Sequence, residues 1–210
     1  MNTVPFDKYY DKIAVVLKQF RLKKVSENFF DPGRAEPYII SVAIDSESVD
    51  RPAIHFNALP FPNVRAKDTV SFDGQGHLIY GPKNPGEFVA YSILFMECDS
   101  DIRELGSSVE RIFKSAATRL GLKTMLSINL SLGLATTVVG ELASIVADTM
   151  KQNKDDELFR RNGTLLRDVT PPFDILRTYD SGNEYIDCQT SIVPLGTSNL
   201  LGSSVKSIQL

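Results

Sequence analysis

The chain has 210 residues, of which 42% are apolar and 23% are charged. These proportions are ordinary for soluble globular proteins, and they exclude extensive disorder or a fibrous repeat. Its 23 basic and 26 acidic residues leave a net charge of −3, so the whole-protein field attracts neither nucleic acid nor an anionic membrane. We therefore predict that the protein binds no nucleic acid and that any membrane contact is local.

The first half of the chain is predicted to form short strands separated by turns. In residues 12–25 the apolar side chains alternate and then change parity between Leu17 and Phe20, which predicts a long strand with a β-bulge. Turn residues follow at Pro32 and Gly33. Further strands are predicted at 38–45, 53–58, 69–72, 77–80 and 87–97. Many short strands with frequent turn signals favour a mainly β protein, an antiparallel β-sandwich.

A helical block then interrupts the strands. Ser107 to Glu110 form a capping box, and apolar residues follow at helical spacing until Gly121, which fits the position just beyond a helix C-terminus. A second helix is predicted over residues 134–151, where an apolar stripe and a polar stripe run side by side. Residues 124–133 between them are ambiguous. The pattern predicts a two-helix insertion.

Strand signals resume after the insertion. Asn162-Gly163 lies between two β-compatible runs, and this dipeptide is the strongest short cue for a β-hairpin. A second hairpin is predicted from residues 173–179 and 184–193, which flank a turn at 180–183.

The domain organisation follows from these elements. We predict one sandwich domain over residues 1–195, with the helical insertion at about 106–153. Residues 196–210 are rich in Ser and Gly and are expected to form a flexible C-terminal tail. The amino terminus has no apolar run typical of a secretory signal, which favours a cytoplasmic location.

Two separated segments together resemble the C2 domain family. The first is DPGRAEPY, from Asp31 to Tyr38, which is similar to the family's acidic, glycine-containing loop leading into Asp-Pro-Tyr and a strand. The second is YSILFMECDSDIRELG, from Tyr91 to Gly106, which is similar to the family's apolar strand followed by Asp-x-Asp and a later acidic residue near a glycine. The resemblance implies a C2-like antiparallel β-sandwich with these loops side by side at one end.

The same resemblance implies a calcium site. Ca²⁺ takes 6–8 oxygen ligands, so several carboxylates must converge to bind it. The chain departs from the family at its glutamate in the first loop, in the length of that loop and in the helical insertion. The alternative is that Asp99 and Asp101, which follow the strand predicted at 87–97, cap local turns. The family's ligand positions carry over onto Asp31, Glu36, Asp99 and Asp101, with Glu104 or Glu97 as a further acidic ligand.

No complete catalytic motif is present in the sequence. His55 and His77 are the only histidines and there is no Gly-x-Ser-x-Gly, so a nucleophilic triad is not expected. His55 is predicted to lie in a strand, either packed in the sandwich or at its surface. Three arginines flank the Asn-Gly pair and could contact phosphate groups of a lipid or another partner, although plain solvent-facing charge is the alternative. They are Arg160, Arg161 and Arg167.

These observations favour a non-enzymatic binding or interaction module that contacts lipid or protein peripherally through the C2-like loops, with calcium optional. A membrane-active protein, such as a toxin or pore-forming component, is a second hypothesis. Residues 124–140 contain no charged side chain and approach the ~20 residues that span a bilayer. The simpler alternative is that both helices pack on the sandwich. A third hypothesis is a subunit of a larger assembly, joined through a sheet edge or the tail.

Overall fold

The computed structural model describes residues 5–24, 34–49, 53–98, 105–129, 131–152, 154–195 and 205–210. The α-helices in these ranges are α1 (Leu105–Arg119), α2 (Leu122–Asn129) and α3 (Leu132–Gln152). The strands are β1 (Ile13–Leu22), β2 (Arg34–Ala35), β3 (Pro37–Asp45), β4 (Ala53–Pro60), β5 (Val64–Arg65), β6 (Thr69–Ser71), β7 (His77–Lys83), β8 (Phe88–Glu97), β9 (Asp156–Leu166), β10 (Thr178–Gly182), β11 (Ile186–Pro194) and β12 (Lys206–Gln209).

Ten of the described strands form two antiparallel five-stranded sheets, and β2 and β5 form a separate two-stranded sheet. Sheet I has the order β10-β11-β1, with β6 and β7 both paired to the other edge of β1. Sheet II has the order β12-β4-β3-β8-β9. The register of β1 on β11 shifts between Leu17 and Gln19, which confirms the predicted bulge. The structure therefore confirms a mainly β fold compatible with a sandwich that carries a helical insertion.

Sheet II lies between sheet I and the helices. Alternate residues of β3, such as Ile40 and Val42, share a core with the helices, whereas Ile39 and Ala43 share a core with sheet I. This alternation follows from the two-residue period of a strand. Because both faces are covered, β3 and β8 are buried along their whole length, and they are accordingly rich in apolar residues.

The helices cover one face of sheet II rather than one end or one edge of the sandwich. The apolar stripe of α3 includes Val138, Leu142 and Val146, which are buried against this sheet, while Glu141 and Asp148 are exposed. Among the described residues, one helix, α3, is long and apolar enough to cross a membrane by length and composition alone. Gly121 ends the first helix with a φ of +61°, as predicted. The ambiguous residues contribute to a third helix, α2.

The predicted hairpin at Asn162-Gly163 is wrong. Both residues lie inside the continuous strand β9, opposite Ser92 and Tyr91 of β8. Gly163 leaves room for the ring of Tyr91, because a Cβ atom at this position would overlap that ring. A glycine in a strand interior often marks such a close approach.

The last strands match the prediction in part. β10 and β11 form the predicted antiparallel pair, but Thr178 lies opposite Ser191 and the strand continues through residues 180–182, which were expected to turn. Within the segment expected to be a flexible tail, Lys206–Gln209 instead pair with β4 as the edge strand of sheet II. Residues 196–204 lie outside the described residues.

Candidate ligand-binding end of the sandwich

The start of β3 and the end of β8 lie side by side. Pro37 is the pairing partner of Glu97, and just beyond this pair the backbone N–H of Cys98 donates a hydrogen bond to the carbonyl oxygen of Glu36, with an N···O distance of 3.2 Å. These are the points where the first C2-like segment enters sheet II and the second one leaves it. The two segments are therefore joined at one end of the sandwich, which we call the acidic end.

Most of the predicted calcium ligands lie outside the described residues, and they are Asp31, Asp99, Asp101 and Glu104. In the sequence, Asp99 directly follows Cys98, and Asp31 precedes Glu36 by five residues. Glu36 itself is described and half-buried.

Carboxylates are also buried at the acidic end. Glu97 is 1% exposed and Asp155, which follows α3, is 3% exposed. The hydroxyl of Tyr38 donates a hydrogen bond to Asp155 Oδ2 over 2.7 Å. Burial, followed by this bond, raises the pKa of Tyr38 far above its usual value. Among the described residues alone, no group of three or more His, Cys, Asp or Glu side chains could hold a metal, so a metal here would also need ligands from the adjoining segments.

Arg160 links β9 of sheet II to helix α3 through hydrogen bonds. Its guanidinium donates two hydrogen bonds of 3.0 Å to the carboxylate of Glu157 and one of 2.8 Å to Ser144 on α3. Burial opposes ionisation of Glu157, but the bonds from Arg160 outweigh it and lower the pKa of that carboxyl. Arg160 therefore has protein partners on the helix side of β9.

Arg161 and Arg167 lie elsewhere. The guanidinium of Arg161 lies over the ring of Tyr179, 5.4 Å from its centroid, on the side of β9 that faces sheet I. Arg167 donates to the carboxylate of Asp168 at 3.0 Å and approaches the ring of Tyr9. The three arginines predicted to contact lipid or a partner are thus not gathered on one surface.

A polar cluster that we did not predict lies at the other end of β3. The carboxylate of Asp45, with no exposed surface, accepts hydrogen bonds from the Tyr80 hydroxyl at 2.6 Å and pairs with the Lys83 ammonium at 2.9 Å. His55 Nε2 lies 3.2 Å from the same oxygen. Burial alone would raise the pKa of the Asp45 carboxyl, but His55, Lys83 and Tyr80 together lower it to about 2.

The second ring nitrogen of His55 reaches the C-terminal strand. Nδ1 lies 2.8 Å from the Oγ of Ser207, its direct pairing partner between β4 and β12. His55 therefore sits between a buried carboxylate and a serine hydroxyl. The strand position of His55 was predicted, but its two partners come from distant parts of the chain.

Comparison with protein-family models, with curated protein sequences and with solved structures finds no match to this chain.

Proposed function

We propose that this protein is a C2-like, non-enzymatic binding module whose acidic end binds Ca²⁺ and, through it, an anionic membrane surface. The observation that carries the proposal is the hydrogen bond between Glu36 and Cys98, because it brings together the two segments in which the acidic residues are concentrated. Convergence of carboxylates from separate segments is what a calcium site requires.

Each segment supplies part of the ligand set. Asp31 and Glu36 belong to the segment that enters β3, whereas Asp99 and Asp101 follow β8. Ca²⁺ has room for 6–8 oxygen ligands, so four carboxylates leave positions for water or for a lipid phosphate. Two further carboxyl side chains, those of Glu97 and Asp155, are buried nearby.

Calcium would also resolve an electrostatic conflict. The chain has a net charge of −3, and an acidic loop repels an anionic lipid surface. Bound Ca²⁺ offsets part of the local negative charge and presents a cation that a lipid phosphate can coordinate, because a bound cation is often the largest charge in its site. The module would then reside in the cytoplasm without calcium and join the membrane peripherally with it.

Isothermal titration with Ca²⁺ tests the metal site. We expect the wild type to bind Ca²⁺ and the double variant Asp99→Asn/Asp101→Asn to lose binding. The double variant Asp73→Asn/Asp148→Asn changes the same charge at two exposed positions outside the predicted ligand set, and it should bind as the wild type does. A wild type that shows no heat with Ca²⁺ would overturn the calcium part of the proposal.

A membrane-active role for α3 is the second candidate. The observation that favours it is that Leu132–Gln152 is long and apolar enough to cross a bilayer. However, Val138, Leu142 and Val146 are buried against sheet II, so insertion would first require the helix to leave the sheet. We therefore rank this role below the acidic end.

A further inference from the structure

Three side chains lie in a row from the core to the surface, with a hydrogen bond between His55 and Ser207 and a close approach, without hydrogen-bond geometry, between His55 and Asp45. Asp45 lies at the end of β3, His55 on the neighbouring β4, and Ser207 on the edge strand β12. The Asp45 Oδ2 to His55 Nε2 distance is 3.2 Å, and the His55 Nδ1 to Ser207 Oγ distance is 2.8 Å. Each ring nitrogen of the imidazole thus faces one oxygen.

The Asp45 carboxylate faces Nε2 of His55, and the Ser207 hydroxyl faces Nδ1. Tyr80 and Lys83 both act as donors to Asp45 Oδ2, which keeps the carboxylate ionised. An ionised carboxylate beside Nε2 favours the tautomer with a proton on Nε2. Nδ1 is then an acceptor, and the Ser207 hydroxyl donates its proton to it. This is the arrangement in which an imidazole can act as a general base toward a hydroxyl.

The serine is accessible while its base is sheltered. Ser207 is exposed on the edge of sheet II, whereas the His55 residue is 9% exposed and Asp45 has no exposed surface. A reagent from solvent can therefore reach Oγ without entering the core. Shielding from water strengthens the interaction between the imidazole and the carboxylate.

We propose that Ser207 is an activated nucleophile that accepts an acyl group from activated carboxylic esters, with His55 as general base and Asp45 as the group that orients and stabilises it. Oγ forms a bond to the carbonyl carbon as its proton passes to His55 Nδ1. The bond from the carbonyl carbon to the ester oxygen breaks, and His55 returns the proton to the departing alkoxide or phenoxide. The products are an acylated serine and an alcohol, so atoms and charge balance without a further reactant.

This site goes beyond the binding role and is separate from it. Asp45 is the last residue of β3, whereas Glu36 directly precedes the first residue of β3. The serine site and the acidic end therefore lie at opposite ends of the same strand. The loss of calcium binding would leave this inference untouched. The competing explanation is that the hydrogen bonds of His55 only hold β12 on β4.

Acetylation by p-nitrophenyl acetate, followed by peptide mapping, tests the inference. Ser71 is exposed on β6 and serves as an internal reference in the same molecule. Because a positioned general base contributes about 100-fold or more, we expect Ser207 to be acetylated at least about 100-fold faster than Ser71. Because both serines are compared in the wild-type protein, the result does not depend on whether a variant folds.

Two variants then assign the roles. Ser207→Ala should abolish the hydroxylamine-sensitive ester-linked acetyl group that fragmentation assigns to residue 207, as distinct from an amide on Lys206, while Ser71→Ala should leave it unchanged. His55→Gln should slow acetylation of Ser207 by about 100-fold if the imidazole is the base, with circular dichroism used to verify the fold. Equal acetylation of Ser207 and Ser71, or no acetyl group on Ser207 in the wild type, would overturn the proposal and leave the structural explanation.

Discussion

The backbone N–H of Cys98 donates a hydrogen bond to the carbonyl oxygen of Glu36, and this bond joins two acidic segments that are far apart in the sequence. It follows directly after the Pro37–Glu97 pair of β3 and β8. These strands are buried along their length in the middle of sheet II, so the two segments meet where one buried strand begins and the other ends.

Gly163→Ala should destabilise the protein, because the added methyl group would overlap the Tyr91 ring across the pair of strands. Overpacking of a buried site costs about 1–3 kcal/mol. Urea denaturation measures the change in the free energy of unfolding. In a Tyr91→Ala background the same substitution should cost much less, since the ring it meets is gone.

The matched control is Gly140→Ala in α3. No atom lies within 4 Å of a Cβ built at Gly140, so alanine should stabilise the helix by up to about 1 kcal/mol. If Gly163→Ala were as harmless as this control, the close approach of Tyr91 to β9 would be incorrect.

The strands could be predicted because their signals are local. The alternation and parity change in β1, and the apolar run of β3, follow from the residues themselves. The Asn162-Gly163 dipeptide misled the prediction because its local preference for a turn is outweighed by pairing along β8, where Tyr91 needs a partner without a side chain. Helical periodicity predicted two of the helices, but it does not specify which sheet face they cover.

The two ends of the sandwich differ in how far they could be predicted. The acidic residues stand out in the sequence, and the strands that flank them were predicted correctly. What the structure adds is the pairing of Pro37 with Glu97. The contact of His55 with Ser207 had no local signal. It depends on pairing of β12 with β4, and the composition of the tail favoured disorder. A four-residue strand at an edge gives too short a pattern to detect.

Ile208→Ala tests whether the C-terminal strand contributes to the core. Ile208 is 6% exposed and packs with the helix-side residues. Removal of a buried isoleucine side chain commonly costs 2–5 kcal/mol, and for this edge strand we expect about 2 kcal/mol in the free energy of unfolding. Gln209→Ala, at the exposed neighbouring position, should change it by less than about 0.5 kcal/mol. Equal effects of the two substitutions in urea denaturation would show that β12 is not packed.

Acid should lower the free energy of unfolding, because Asp45 becomes protonated. Its folded pKa of about 2 lies below the ordinary value of 3.8, so the folded state binds fewer protons between these values. The stabilisation is complete above pH ~3.8 and is lost as the pH falls towards ~2, which corresponds to about 2 kcal/mol. The free energy of unfolding, measured in urea from pH 5 to pH 2, should show this decline.

Lys83→Met isolates the contribution of the ion pair. Without the ammonium at 2.9 Å, the pKa of Asp45 should rise towards its ordinary value, and the decline below pH ~4 should become smaller. Lys12→Met removes the same charge from an exposed position and should keep the steep decline. Identical pH profiles for the two variants would contradict the assigned role of Lys83.

Dye-filled vesicles test the membrane-active alternative. Because the apolar stripe of α3 contacts sheet II, we expect no dye release from zwitterionic or anionic vesicles between pH 4 and pH 8, with detergent defining complete release. Release above the background at any of these pH values would instead favour exposure of Leu132–Gln152.

Co-sedimentation with vesicles of phosphatidylserine and phosphatidylcholine tests the role of the acidic end most directly. We predict that the wild type pellets with the vesicles in the presence of Ca²⁺ and stays in solution with EGTA. The Asp99→Asn/Asp101→Asn variant should stay in solution under both conditions, while Asp73→Asn/Asp148→Asn should behave as the wild type. A wild type that pellets equally with Ca²⁺ and with EGTA, or in neither condition, would contradict calcium-dependent membrane binding at the acidic end.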